Sequence, residues 1–239
     1  MKLNLRGRPV LMLALMLSVS LTANAQSKSA LNGSWQSQEG DIKTVLLFQD
    51  NYFTQSVFTP NEFIMTFGGP YSVENNTIKI HVEFNSANAE EVGKQLSSNY
   101  SINGNSLQLA LNNKSVSLQR TGDGSAPLDG VWQITGRMQE GKVAPIHQTG
   151  TRKTLKMLTG GRFQWFAIDP ATKMFSGTGG GTYSFVNGKY TENIELFSRD
   201  NKRVGASLSF DGKLENGEWH HSGLSSAGAS IYEVWGRVE

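Results

Sequence analysis

The stretch Leu31-Asn32-Gly33-Ser34-Trp35 returns further along the chain as Leu128-Asp129-Gly130-Val131-Trp132. Each half therefore opens on Gly-x-Trp, and each ends in a strand-like run that carries an arginine, Arg120 in the first half and Arg237 in the second. A chain that repeats its opening and closing signals repeats a fold unit. Other segments match as well. Gly68-Gly69-Pro70-Tyr71-Ser72-Val73 lies under Gly180-Gly181-Thr182-Tyr183-Ser184-Phe185, Glu83-Phe84 under Glu195-Leu196, and Ile102-Asn103-Gly104 under Phe210-Asp211-Gly212. Thr121 to Pro127 has the Gly/Ser/Pro composition of a linker. The expected units are residues 26–120 and 128–239, joined by 121–127. The second carries extra residues around Gln139 to Thr151, read as a longer loop over one end of the unit.

Residues 1–25 read as a signal peptide. Lys2, Arg6 and Arg8 precede an apolar run from Val10 to Leu21, and Ala23-Asn24-Ala25 supplies the small-x-small cleavage pattern before Gln26. The run is short for a membrane span, and no cysteine offers a lipid anchor. The expected location is the periplasm or the exterior, with no membrane span after cleavage. With three basic residues removed, 19 basic residues face 20 acidic ones, so no nucleic-acid field is implied. The absence of cysteine fits a bacterial envelope protein held by packing rather than disulfides.

Between dense turn signals lie short alternating or β-branched runs. Examples are Val45-Leu46-Leu47-Phe48, Thr77 to Phe84 and Ser106-Leu107-Gln108-Leu109. Asp50-Asn51, Asn75-Asn76, Asn103-Gly104, Asn112-Asn113, Gly160-Gly161, Asn187-Gly188, Asp211-Gly212 and Asn216-Gly217 supply residues that accept positive φ, as tight hairpins require. The pattern predicts an all-β antiparallel up-and-down meander that closes on itself. Ala87 to Leu96 is the one good helical window, with Ala89, Val92, Gly93 and Leu96 on one face.

Gly-x-Trp on a first strand with a basic residue on the last resembles the lipocalin and calycin pattern. The resemblance implies that Trp35 and Trp132 each close one end of a barrel, with Arg120 and Arg237 lying across the indoles. A guanidinium over an indole gains about 0.5–2 kcal/mol and ties together the strands where a barrel must close. The second half, through Gly161-Arg162-Phe163-Gln164-Trp165 and Phe175 to Tyr183, also resembles a lipocalin-like group of unknown function in secreted Bacteroidetes proteins. The expected architecture is two tandem lipocalin-like β-barrels, or two halves of one larger β structure. The resemblance brings no catalytic residues.

Residues present in both halves, such as Tyr71 and Tyr183 or Glu83 and Glu195, most simply serve the fold. Candidate function therefore rests on polar groups of the second half. Glu192 shares a strand face with Tyr190, Ile194 and Leu196, where a carboxylate is costly unless paired. Glu218-Trp219-His220-His221 alternates its titratable groups between two faces. The histidines suit ligand recognition or, given a third ligand from His147 or Glu192, a metal; no metal-ligand spacing is present, and no metal or other cofactor is expected. Arg162 and Trp165 lie on opposite faces of one strand, and an aromatic at a barrel mouth is a stacking platform. Gly177-Thr178-Gly179-Gly180-Gly181 lacks the following helix a phosphate loop needs, and reads as a hairpin or β-bulge.

The leading expectation is a barrel that binds a small apolar or amphipathic molecule, with Arg162, Trp165, Tyr190, Glu192, His220 and His221 as ligand contacts. One alternative is an envelope enzyme acting on carbohydrate or a related substrate through Glu192, Glu195, His220 or His221 as acid–base groups, or through Glu192 paired with Glu195 or Glu218. The other is an accessory module that docks an envelope protein.

Overall fold

The computed structural model describes residues 30–111, 114–146, 150–225 and 227–238. The signal-peptide segment, Asn112-Asn113 and His147 lie outside them. The described chain forms two closed eight-stranded antiparallel β-barrels in tandem. The first is built from β1 (Gly33–Glu39), β2 (Ile42–Gln49), β3 (Tyr52–Thr59), β4 (Glu62–Glu74), β5 (Thr77–His81), the short β6 (Phe84–Asn85), β7 (Gln95–Asn103), β8 (Ser106–Leu111) and β9 (Lys114–Gly122). The second uses β10 (Gly130–Gln139), β11 (Lys142–Pro145), β12 (Lys153–Thr159), β13 (Arg162–Asp169), β14 (Met174–Val186), β15 (Lys189–Phe197), β16 (Ser207–Glu215), β17 (Glu218–Leu224) and β18 (Ser230–Arg237). Apart from the short β6 and β11, which are bypassed by the pairings of β5 with β7 and β10 with β12, each strand pairs with its neighbour in sequence, and closure comes from β9 on β1 and β18 on β10. β6 continues the line of β5 along β4, and β11 folds back on the end of β10.

Turn chemistry explains the meander. Asp50-Asn51, Asn75-Asn76, Gly160-Gly161, Asn187-Gly188 and Asn216-Gly217 all hold both central residues at positive φ. That is the type I′ geometry whose twist matches the flanking strands. Arginines lie at both seams. Arg120 Cζ lies 4.0 Å from the Trp35 ring centre and Arg237 Cζ lies 4.5 Å from that of Trp132. The indole nitrogens donate to Leu31 O at 2.8 Å and Leu128 O at 2.9 Å, so each repeated Leu-x-Gly-x-Trp is a plug that bonds to itself.

Two local expectations are corrected, and one open alternative is decided. The Ala87–Leu96 window forms only a single 3-10 turn, Ala89–Glu91, and β7 already begins at Gln95. Gly93 sits at φ +88°, outside helical space, and ends any helix there. Asp211-Gly212 is not a turn but the middle of β16, because Asn216-Gly217 closes that hairpin instead. Gly212 N donates to Gly188 O as Tyr100 N donates to Asn76 O, so Gly212 corresponds to Tyr100 and not to Gly104. Of the two readings of Gly177 to Gly181, the bulge holds and the hairpin does not. The run lies inside β14, which shifts register there against β13 and again, between Gly180 and Gly181, against β15.

β2 and β12 are buried on both faces because each serves two cores. Leu46 and Phe48 point into the first barrel, and Val45 and Leu47 point out. The outward residues meet Leu155, Met157, Phe166 and Ile168 of the second barrel in one apolar seam. Phe84 stacks on Phe166 at 4.7 Å, and Phe63 on Phe175 at 6.4 Å. The polar contacts are reciprocal. Lys43 Nζ meets Glu195 Oε2 at 3.2 Å, and Lys153 Nζ meets Glu83 Oε2 at 2.8 Å. Because the lysines occupy matching strands and the glutamates matching repeats, the barrels face each other across a pseudo-two-fold axis.

Candidate functional site

The repeat provides an internal comparison for every position of the second barrel. Matching turns and closing arginines place Leu46, Ile80, Leu109 and Val116 of the first barrel opposite Lys156, Glu192, His221 and Glu233 of the second. The first set belongs to one apolar core. The second set is polar at all four positions, yet buried, with exposures of 6, 4, 2 and 9 %. A closed barrel that replaces four inward aliphatic positions by ionisable ones forgoes hydrophobic stabilisation and has to pair the charges.

The pairing is specific. Lys156 Nζ lies 2.8 Å from Glu192 Oε1, and Tyr190 Oη donates to the same oxygen at 2.8 Å. The ammonium stands 5.2–5.9 Å from the ring centres of Trp235, Trp219, Tyr190 and Phe163, within cation–π range. Burial, reinforced by the Glu192 charge, raises the Tyr190 phenol well above its ordinary range, so it stays a donor. Glu233 receives Arg137 Nη2 at 2.7 Å and lies 3.2 Å from His221 Nε2. That last contact is bent away from hydrogen-bond geometry, and neither His221 nitrogen has a hydrogen-bond partner. Burial pulls the Glu233 carboxyl upward, but His221, Lys156 and Arg137 hold it down at about 2. Burial, with Lys156 nearby, lowers His221, so its imidazole is neutral at neutral pH.

These groups line a cavity of about 440 Å³. Its apolar wall includes Ile134, Trp165, Ile194, Phe197, Leu208 and Trp235, and the exposed Arg137 stands at its rim. Ile146, just after β11, also lines it, held by a hydrogen bond from its N–H to Thr135 O at 2.7 Å. The insertion in the second half therefore contributes a wall residue.

The sequence-predicted residues divide. Trp165, Glu192 and His221 line the cavity, and Tyr190 lies beneath it, bonded to Glu192. Arg162 does not belong there. It points into the seam, where Glu195 at 3.1 Å and Gln36 at 2.8 Å bind its guanidinium. His220 is also outside, on the outer wall, with Nδ1 3.1 Å from Tyr232 Oη and Nε2 3.7 Å from Glu218. Strand alternation sends adjacent histidines to opposite faces, so His220 and His221 cannot share a metal. Among the described residues no group of three or more His, Asp or Glu is placed to hold one. Glu195 in the seam and Glu218 outside are likewise parted from Glu192, which removes both carboxylate pairs imagined for sugar hydrolysis.

Lys156, Glu233 and Trp235 are cavity residues that the sequence reading did not pick out. The signal for Lys156 was present: Leu155-Lys156-Met157-Leu158 laid under Val45-Leu46-Leu47-Phe48 puts a lysine where the first half has an inward leucine. Comparison with known protein families and with curated proteins finds no match to this chain.

Proposed function

We propose that the chain is an exported, lipocalin-like binding protein that holds one small amphipathic molecule in its second barrel. The first barrel is a packed structural partner. The observation that carries this reading is the exchange of Leu46, Ile80, Leu109 and Val116 for Lys156, Glu192, His221 and Glu233 around a cavity of about 440 Å³. A polar floor under an apolar wall suits a guest with one polar end. Burying the guest's apolar body contributes about 25 cal/mol per Å², and the floor fixes its orientation. The signal-peptide pattern of residues 1–25 supports a periplasmic or external location.

Native mass spectrometry of protein purified from its own envelope without detergent tests the reading, together with titration by the neutral dye Nile red. One bound species, or one-to-one dye uptake, is expected, and Leu208→Trp, which fills the cavity, should abolish it. Absence of both adduct and dye binding in the parent protein, or binding that survives Leu208→Trp unchanged, would sink the proposal.

A further inference from the structure

An up-and-down barrel places alternate connections at the same end. In each barrel the end opposite the Trp35 or Trp132 plug carries the turn after the first strand and the β3–β4 or β13–β14 turn. It also carries the connection through Ala89–Glu91 or Asn201–Arg203, and the last hairpin, β8–β9 or β17–β18. These two ends lie side by side. Phe63 stacks on Phe175 at 6.4 Å, Lys173 Nζ lies 3.1 Å from Glu90 Oε2, and Asn201 Nδ2 donates to Asn61 O. Together they make one face of the molecule.

Six of the eight large apolar side chains that stand exposed among the described residues belong to this face. Ile42 and Ile64 are on the first barrel; Met138, Val143, Met174 and Leu224 are on the second. Exposed apolar surface gathered in one place marks an interaction site. The charges of the face are divided between the barrels. Ion pairs take up Lys43, Arg137, Lys153, Lys173 and Arg203. Beyond them the first barrel carries Glu39, Asp41, Glu62 and Glu91 against Lys94 and Lys114. The second carries Lys142, Arg152, Arg199 and Lys202 against Glu140 and Asp169. One lobe is acidic, its neighbour is basic, and the two balance.

That division selects the partner. A uniformly basic face would suit an anionic lipid surface, but the acidic lobe here is repelled by one. The complement of an acidic lobe beside a basic lobe is the same face turned over. A two-fold axis lying in the face and crossing the line between the barrels sets first barrel on second barrel twice. An axis along that line would set like charges together. We propose that this face docks a second copy of the chain, the acidic end of each first barrel on the basic end of the other copy's second barrel. The cavity residues Arg137, Ile146 and Ser225 lie at this end, so the second copy caps the cavity, and loading it requires the dimer to part. The dimer does not depend on the cavity holding a guest.

Sedimentation velocity of the purified protein tests this. A reversible dimer is expected, with a dissociation constant that rises at least about tenfold between about 0.05 and 0.5 M salt as the charges are screened. Lys142→Glu with Lys202→Glu makes both lobes acidic, and Glu39→Lys with Glu62→Lys makes both basic. All four positions are exposed, so these variants keep the fold. Each alone should dimerise at least about tenfold more weakly than the parent. An equimolar mixture of the two should recover the parent's affinity, because every acidic lobe then meets a basic one. A parent that stays monomeric up to about 0.1 mM, variants that dimerise as the parent does, or a mixture that fails to recover overturns the proposal. Flotation of a monomeric parent with phosphatidylglycerol vesicles overturns it too and gives the face to a lipid surface. Nile red uptake reads the cavity separately, so the binding reading stands or falls on its own.

Discussion

A single lysine illustrates how residue chemistry separates the two barrels. Lys156 and Glu192 stand where the first barrel has Leu46 and Ile80, and all four are buried. Removing one ion leaves the other uncompensated, whereas replacing both by aliphatic residues restores the composition the first barrel already packs. Lys156→Leu should therefore cost about 3–5 kcal/mol, and Lys156→Leu with Glu192→Ile should lie within about 1–2 kcal/mol of the parent. Urea denaturation measures both. The acid limb follows from two neighbours. His221 has a lowered folded-state pKa, so the unfolded chain binds more protons, and stability falls as pH drops from about 6.5 toward that lowered value. Glu233, held at about 2 against about 4.3 unfolded, contributes stability above the unfolded value that is lost as pH falls toward 2. His221→Leu should flatten the upper part of the stability–pH curve and Glu233→Gln the lower part. Identical curves for parent and variants would show that neither pair matters to folding. Alternation alone marked Glu192 as a member of an apolar face and parted His220 from His221 without saying which of them points inward. It did not say that the face carrying Arg162 is also buried, since that burial comes from the other barrel.

At the scale of elements, the legible features were those with a local cause. Asn and Gly at positive φ announced the hairpins, and Trp with Arg announced the closing strands. Two signals misled because tertiary packing decided them. The Asp211-Gly212 pair has turn composition, but Gly212 serves close packing: a Cβ there would meet Phe185 Cε2 at 3.1 Å. The Ala87–Leu96 window has helical spacing, but extended geometry at Val92 and the left-handed Gly93 turn the chain back into β7. The glycine-rich run of β14 was readable as a bulge, and its reason is steric. A Cβ on Gly181 would stand 1.9 Å from Asn193 O, just as one on Gly69 would stand 2.0 Å from His81 O. Gly181→Ala must therefore part β14 from β15 and should destabilise the protein by about 3–5 kcal/mol, the scale of strain in a tight core site. The thermal midpoint reports it. Gly161→Ala is the contrasting variant. Open space surrounds that Cβ, and only the positive φ of +74° resists it, so its cost should be nearer 1 kcal/mol.

For the whole molecule, the governing feature is a seam whose two sides are copies of each other. Lys43 with Glu195 and Lys153 with Glu83 repeat one contact in both directions, and the stacked rings of Phe84 and Phe166 lie in its apolar centre. None of this pairing was legible in the sequence, although part of the cause was visible there: Val45 to Phe48 is apolar without a break, as a strand covered on both faces must be, and Leu155 to Leu158 follows the same pattern, interrupted only at Lys156. A large apolar interface makes two domains unfold together, and a small polar one lets them unfold apart. The parent protein is accordingly expected to melt in one transition, with calorimetric and van't Hoff enthalpies equal. Phe166 is the position to test, because its counterpart in the first barrel is Ser56 and the fold plainly accepts serine there. Phe166→Ser removes the ring that stacks on both Phe84 and Tyr52 but leaves both barrel interiors intact. It should cost about 3–5 kcal/mol at the seam and drive the van't Hoff enthalpy below the calorimetric one as the barrels begin to melt separately. A variant that loses stability yet keeps a single two-state transition would mean that cooperativity is carried elsewhere, by the polar contacts around the seam or by the connection from β9 to β10.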